Sequence, residues 1–320
     1  MAEFRTYTAI GQREDLSNTI YSIAPTETPV VSSIGKTKAT ATYHEWQTDT
    51  LAAAVKTGLL EGADAGAASA TATVRVGNRT QIQGKTVHVS GTLDAVDKAG
   101  RKTETAYQLA KAGQELKRDM EKTILGNVAA SNGTAGSAAR LLGSIQTWLG
   151  TNFVTMTDGV APVGANGTAA RTEGATASAF TEAKLKEVVK SCFENGGNPT
   201  LLVVPPTQKQ VVSTFTGIAE QRYQAPAAKA TTIIGAADVY LSDFGTLSVV
   251  PDRFMTADTT PDAEQALVLD PTMASVATLR PFESNLLAKT GDSEKHQMLV
   301  EYTLQVSNEK AHGIVADLAV

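Results

Sequence analysis

The chain has 320 residues, of which 48 are Ala and 42 are Thr, while only 19% are charged and 5% aromatic. That length suits two domains or one large elaborated one, and the apolar share excludes an acidic disordered protein. A net charge of −5 without any Lys/Arg block gives no basic face for dedicated nucleic-acid binding, and a single cysteine, Cys192, excludes an internal disulfide or a multi-cysteine metal site.

The N-terminus, from Met1 to Thr6, lacks the charged and apolar regions of a signal peptide. The first forty residues hold no sustained period. A short helical turn over 15–21 gives way to Pro25 and Pro29, each of which disfavours helix at the preceding residue. Residues 1–39 read as an extended arm.

From Thr40 to Asp49 the chain alternates like a strand, with Thr42, His44, Trp46 and Thr48 set against Tyr43, Glu45, Gln47 and Asp49. A second β-rich stretch runs from Thr71 to Ser90. Val74, Val76 and Ile82 share a phase that Val87 and Val89 break, which predicts a bulge near Gly84. Between the two, residues 52–70 carry eight alanines and three glycines and no amphipathic period. The pattern predicts a long hairpin that has little core of its own and rests on a neighbour.

Thr103 to Asn127 is the clearest helix. Ala106, Leu109, Gly113, Leu116, Met120 and Thr123 repeat at spacings of three and four, with Thr103 as N-cap and Gly126 as stop. Residues 129–140 and 157–178 are rich in Gly, Ala and small polar residues, and a short helix containing Trp148 is expected between them. The second of these stretches is the expected domain junction.

Beyond it the pattern becomes α/β. Leu185, Val188, Val189, Cys192 and Phe193 form one helical stripe that ends at Gly196-Gly197. Leu201–Val204 reads as a buried strand, too short for a membrane span, and Pro205-Pro206 closes it. A helix over 207–215, a loop over 217–231 and strands near 232–242, 246–250 and 266–270 follow. Met298, Val300, Tyr302, Leu304 and Val306 then alternate with Glu301, Thr303 and Gln305, predicting a terminal strand with the second set facing out.

Motifs for chemistry fail on inspection. Gly84-Lys85-Thr86 and Gly35-Lys36-Thr37 end like a phosphate loop, but the glycine required five residues earlier is Arg79 or Val30. Gly291-Asp292-Ser293 near His296 suggests a hydrolase fragment, yet it precedes a strand rather than a helix, so a polar turn is the better reading. His44, His88, His296 and His312 are scattered without metal-ligand spacing. Cys192 lies on an apolar stripe and reads as an inert core residue. No catalytic residue, cofactor or metal is therefore assigned. Trp46, on a strand, is expected to anchor packing or an interface.

Arm, hairpin, long helix and α/β unit offer too little core per element for a free monomer. Such elements must bury against other copies. At this point the residues resemble a family: the major capsid proteins of tailed bacteriophages with the Hong Kong 97 fold, especially the branch typified by some podophages. The resemblance rests on Glu14-Asp15-Leu16-Ser17, Ile20-Tyr21 and Ile23-Ala24-Pro25-Thr26-Glu27-Thr28-Pro29, then Glu45-Trp46, Glu61-Gly62-Ala63 and Asn78-Arg79-Thr80-Gln81-Ile82. Gly196-Gly197-Asn198-Pro199 and Asn308-Glu309-Lys310-Ala311-His312-Gly313 extend it over nearly the whole chain.

The resemblance implies an α+β fold with an N-arm (1–39), an E-loop hairpin (40–96), a P domain with linker (97–178, spine helix 103–127), an A domain (179–270), and C-terminal strands (271–320) returning to the P domain. It implies hexamers and pentamers in an icosahedral shell around double-stranded DNA, without sequence-specific binding and without a membrane. Separate scaffolding, portal and decoration proteins are the further partners in view. Assembly would occur in a bacterial cytoplasm and the product would reside in the virion. Trp46, Lys56, Glu61, Asp64, Arg75 and Arg79 are the candidate contacts between subunits. Some relatives crosslink an E-loop lysine; Lys56 sits at the tip, but nothing in the sequence supplies the catalytic surroundings, and the crosslink is not carried over. The arm starts within a few residues of Met1 with no charged helical block before it, so no fused scaffold is expected. Two other readings stand beside this one, an encapsulin-like nanocompartment shell and an α/β enzyme with a binding hairpin.

Overall fold

The computed structural model describes residues 26–62, 64, 71–155, 158–215, 238–255 and 264–319. The helical turn expected over 15–21, most of the arm, Ala63, the loop over 217–231 and the start of the strand near 232–242 lie outside them.

The described chain opens with a five-residue helix, α1 (Pro29–Ser33), and a short strand, β1 (Gly35–Lys38). The hairpin strands are β2 (Tyr43–Thr48) and β3 (Val74–Arg79), antiparallel with Trp46 opposite Val76. The expected second strand divides at Thr80. Its remainder, β4 (Gln81–Ser90), leaves the hairpin for a different sheet and pairs with β11 (Ser293–Val306) in unbroken register through Gly84. There is no bulge at Gly84: the inward face changes where the chain changes partner at Thr80, and Ile82, expected in phase with Val74 and Val76, is exposed.

After a short helix, α2 (Gly91–Ala95), comes the long helix α3 (Glu104–Leu125), about 33 Å at 1.5 Å per residue. Thr103 occupies the cap position but makes no side-chain cap bond. Asp94 of α2 supplies it instead, accepting from the Glu104 amide (2.8 Å) and the Thr105 hydroxyl (3.1 Å). Apart from Glu104 in the first turn, burial begins at Ala112 and is concentrated toward the C-terminus, at Leu116, Met120, Glu121, Ile124 and Leu125. Ala106, expected on the buried stripe, is exposed: it lies on the opposite side of the helix from Glu104, Gln108, Lys111, Ala112 and Glu115, which border a groove of about 350 Å³ against β4.

β1, β10 (Ala274–Leu286), β11 and β4 form a four-stranded sheet in that order, with β1 parallel to β10. β10 slips register on either side of Arg280, and the next residue, Pro281, has no amide proton for a ladder bond. β11 buries Val300, Tyr302, Leu304 and Val306 as expected. Glu301 and Thr303 are buried as well, because the hairpin root and Arg140 cover the other face. Glu301 accepts there from the Thr80 hydroxyl (2.8 Å), Arg280 Nε (2.8 Å) and Arg140.

The second sheet has six strands in the order β5 (Phe153–Thr155), β12 (Gly313–Ala316), β9 (Ala266–Leu269), β6 (Leu201–Val204), β8 (Gly245–Pro251) and β7 (Val239–Ser242). Residues 271–320 therefore split: β10 and β11 join the sheet beside α3, whereas β12 returns to the six-stranded one. β6, β9 and β12 are buried on both faces, which is why they read as short unbroken apolar runs. One face packs under α4 (Glu182–Glu194) and α5 (Pro206–Val212), with Leu185, Val188, Val189 and Cys192 pointing inward. The other merges with Met120, Ile124 and Leu125 of α3 and with Val300 and Leu304 of β11 in a single cluster. Phe193 is the exception on α4. It faces outward and stacks on Phe244, with centroids 4.8 Å apart.

Gly196 ends α4 at φ +86°, a conformation that only glycine adopts without strain. Gly313 lets β12 pass beneath α4, since a Cβ there would lie 2.4 Å from Val188 Cγ1. Burial pushes the Cys192 thiol up to about 12, consistent with an inert core residue.

His312 is fully enclosed. Its Nδ1 accepts from the Asp270 amide (3.1 Å) and its Nε2 faces the Met273 carbonyl (3.4 Å), which fixes the neutral Nε2–H tautomer. Burial lowers its pKa to about 4, so between pH 6.5 and 4 the unfolded chain binds a proton that the folded chain refuses. Folding stability should therefore rise with pH across that window, by roughly 3 kcal/mol in total. Urea midpoints from pH 4 to 7 should show this slope in the wild type, and it should be markedly flatter in His312→Gln. Equal slopes in the two proteins would assign the acid sensitivity elsewhere.

Candidate assembly interface

The hairpin is stiff at its root and unsupported at its tip. At the root, Asn78 is fully buried, and its side-chain amide donates to the carbonyls of Gly143 (2.9 Å) and Leu304 (2.8 Å) while its oxygen accepts from the Gly143 amide (2.8 Å). Four hydrogen bonds to three residues hold it, counting the one from its own neighbour Arg79. His44 Nε2 lies 3.0 Å from Gln305 Oε1. Trp46 lies on the inward side of β2, 5.3 Å from the buried Trp148 ring.

The six residues singled out in the sequence fall into two groups. Trp46, Arg75 and Arg79 are engaged within their own subunit. Arg75 makes a two-pronged pair with Glu45 (2.6 and 2.7 Å), and the Arg79 guanidinium sits 4.8 Å from the centre of the Tyr43 ring. Lys56, Glu61 and Asp64 are at the tip and exposed. With them, Leu51 and Leu59 are each 98% exposed, and Val55 and Leu60 nearly as open. A Cβ built on Gly58 or Gly62 would meet no atom within 4 Å. Large apolar side chains held this far from their own core are surface meant to be covered.

Further uncovered apolar groups lie at sheet edges: Val239 and Leu241 on β7, the Phe193–Phe244 pair beside it, and Phe282 and Leu286 on the far half of β10. Near Phe282, a groove of about 270 Å³ is lined by Val31, Lys36, Lys117, Met120 and Val276. Asn78 is the residue that sequence reading passed over as a structural pin. Its signal was a polar residue inside a β-rich stretch, flanked by Gly77.

The motifs that suggested chemistry are dispersed. Gly84 lies in mid-strand opposite Leu299, and Gly35 opens β1, so neither leads into a helix. Ser293 begins β11 and meets His88 (2.7 Å) instead of His296, on an exposed strand pair. Among the described residues there is no group of three or more His, Cys, Asp or Glu that could hold a metal ion, and no helix long and apolar enough to cross a membrane.

The arrangement has relatives. The family model described as SU10 major capsid protein matches residues 4–319. The major capsid protein of Escherichia phage Phieco32 is 39% identical over 123 residues, covering 38% of this chain and about a third (35%) of that relative's length. Among solved structures, one from Mycobacterium phage Ogopogo superposes with a TM-score of 0.61 at 13% identity, covering 99% of this chain and 100% of its own. One from Gordonia phage Cozz gives 0.59 at 14% identity, covering 97% and 92%. The holo-SrpI encapsulin complex from Synechococcus elongatus PCC 7942 gives 0.56 at 11%, covering 99% and 96%. At such identities the structures speak for the fold alone, and it is the Hong Kong 97 capsid fold. With the family match spanning nearly the whole length, this chain belongs to the SU10 major capsid protein family.

Proposed function

We propose that the chain assembles with copies of itself into hexamers and pentamers of a closed icosahedral shell that encloses phage double-stranded DNA. The observation that carries this reading is the hairpin: a root pinned by Asn78 and Trp46, and a tip whose Leu51, Val55, Leu59 and Leu60 are almost uncovered by the described residues of their own subunit. The tip, with Lys56, Glu61 and Asp64, lies on a neighbouring copy. In family terms β2 and β3 form the E-loop, α3 with the four-stranded sheet the P domain, and the six-stranded sheet with α4 and α5 the A domain. Low positive charge suits a wall against which packed DNA must slide. The chain catalyses nothing, assembly takes place in a bacterial cytoplasm, and scaffolding, portal and decoration functions reside in other proteins.

Sixty copies of 33.4 kDa make the smallest such shell, about 2 MDa. Sedimentation and negative-stain microscopy of the purified chain should find closed particles of at least that size, with rings of five or six as intermediates. Ser293→Ala and His296→Ala should leave them intact. A strictly monomeric or dimeric profile at every salt and protein concentration would overturn the reading, and loss of a hydrolytic activity in either variant would restore the enzyme alternative. DNA inside particles from infected cells, rather than a protein cargo, separates a phage shell from a nanocompartment.

A further inference from the structure

The N-terminal end of the described chain is fastened to the long helix by one side chain. Glu121 of α3, fully buried, accepts from two amides of α1: Val30 at 2.6 Å to Oε1 and Val31 at 2.9 Å to Oε2. These amides belong to a helical first turn that lacks intrahelical partners, and Thr28 at the cap position makes no side-chain bond to them. The Glu121 carboxyl also comes within hydrogen-bonding reach of that of Asp252, one residue past β8 and equally buried. Asp252 Oδ1 accepts from the Phe254 amide (2.7 Å), while its Oδ2 is buried with no N–H or hydroxyl donor within reach.

Two buried carboxyls in contact, with one oxygen lacking any other donor, hold a proton between them. No cation among the described residues forms an ion pair with either. Lys117, Arg118 and Lys122 share the helix with Glu121, but the Arg118 guanidinium lies over the Phe254 ring, 5.6 Å from its centre, and Lys117 lines the groove beside Val31. Arg253, next to Asp252, and Glu27, before α1, are exposed. Burial and the Asp252 carboxylate push Glu121 up to about 8, and burial raises Asp252 as well.

We propose that the Glu121–Asp252 carboxyl pair is a proton-dependent latch that clamps the N-terminal segment onto the long helix and the six-stranded sheet. When the shared proton leaves, two like charges face each other without water; the amides of Val30 and Val31 favour the charged Glu121, but burial outweighs them, so the relief is to let α1 go and admit water. Only Val30 and the following Ile34 anchor that turn in the core, whereas β1 remains paired to β10, so the movement ends at Gly35. Because Val31 and Ser32 form one wall of the groove near Phe282, release also opens that groove.

Hydrogen exchange on the full chain, corrected for the intrinsic pH dependence, tests this between pH 6.5 and 9.5. Amides of residues 30–34 should lose protection by about tenfold between pH 7 and 9, while those of α3 and β10 keep theirs. Asp252→Asn removes the second charge and offers Glu121 a donor, so its α1 should stay protected throughout. The infrared carbonyl band of a buried protonated carboxyl should be present at pH 7 in the wild type and gone at pH 9.5. Protection independent of pH in the wild type, or the same loss in Asp252→Asn, would overturn the latch. Should that variant fail to fold, the wild-type infrared titration decides: no protonated carboxyl at pH 7 is fatal. None of these readouts requires shells, so the outcome is separable from the assembly reading.

Discussion

Replacing residues 54–68 by a short Gly-Ser turn is expected to abolish shell closure while leaving thermal unfolding of the isolated subunit nearly unchanged. The described part of the tip contributes almost nothing to its own subunit, since Leu59 is 98% exposed and Gly58 has empty space around it. The hairpin root keeps Asn78, Trp46 and the paired strands in the variant. Covering Leu51, Val55, Leu59 and Leu60 on a neighbour is worth about 1.5–3 kcal/mol each, so the wild-type contact gains roughly 6–12 kcal/mol before ordering costs. Losing three of the four groups removes most of that at every contact of a closed shell. Calorimetry on the subunit and microscopy under assembly conditions check the two halves separately. A fall in subunit Tm of more than about 5 °C would place the segment in the subunit's own core instead.

Trp148→Ala is expected to do the reverse and damage the subunit first. Trp148 is 2% exposed, belongs to the cluster joining α3 to both sheets, and forms the surface on which Trp46 rests. Truncating a buried tryptophan costs about 3–5 kcal/mol through lost transfer energy and the cavity left behind. In a chain of this size that lowers Tm by roughly 10 °C, and hydrogen exchange in β2 and β3 should rise along with it. Leu59→Ser, a change of similar polarity at the tip, should leave both measurements unmoved. If Trp148→Ala unfolds like the wild type and the hairpin amides keep their protection, the hairpin has another brace.

The contrast between these two positions marks how far the sequence could be read. Trp46 and Leu59 are both large apolar residues in a β-rich, alanine-rich stretch. Alternation along residues 42–48 established which face of the strand Trp46 occupies, but not that Trp148, more than a hundred residues on, would be its partner. Lys56, Glu61 and Asp64 read as tip residues because a segment without amphipathic period has no face to bury, and all three are exposed. Arg75 and Arg79 read as free for a neighbour until Glu45 and Tyr43 proved to lie opposite Gly77 and Arg79 across the hairpin.

Local periodicity was enough for the long helix, the α4 stripe, the Leu201–Val204 strand and the inward set on β11. In each, the residues that define the element are within a few positions of one another, and a period of 3.6 or 2 needs no knowledge of the partner. Tertiary structure alone decided where the second hairpin strand changes sheets, why Ala106 is open and Glu301 closed, and that β12 returns to the six-stranded sheet. It also brought Glu121 and Asp252 into contact, although 131 positions separate them. Burial of a side chain depends on what lies on both sides of its element, and hydrogen bonding leaves a strand free to pair with any edge of matching length. A one-dimensional pattern records only the side that its own period reveals.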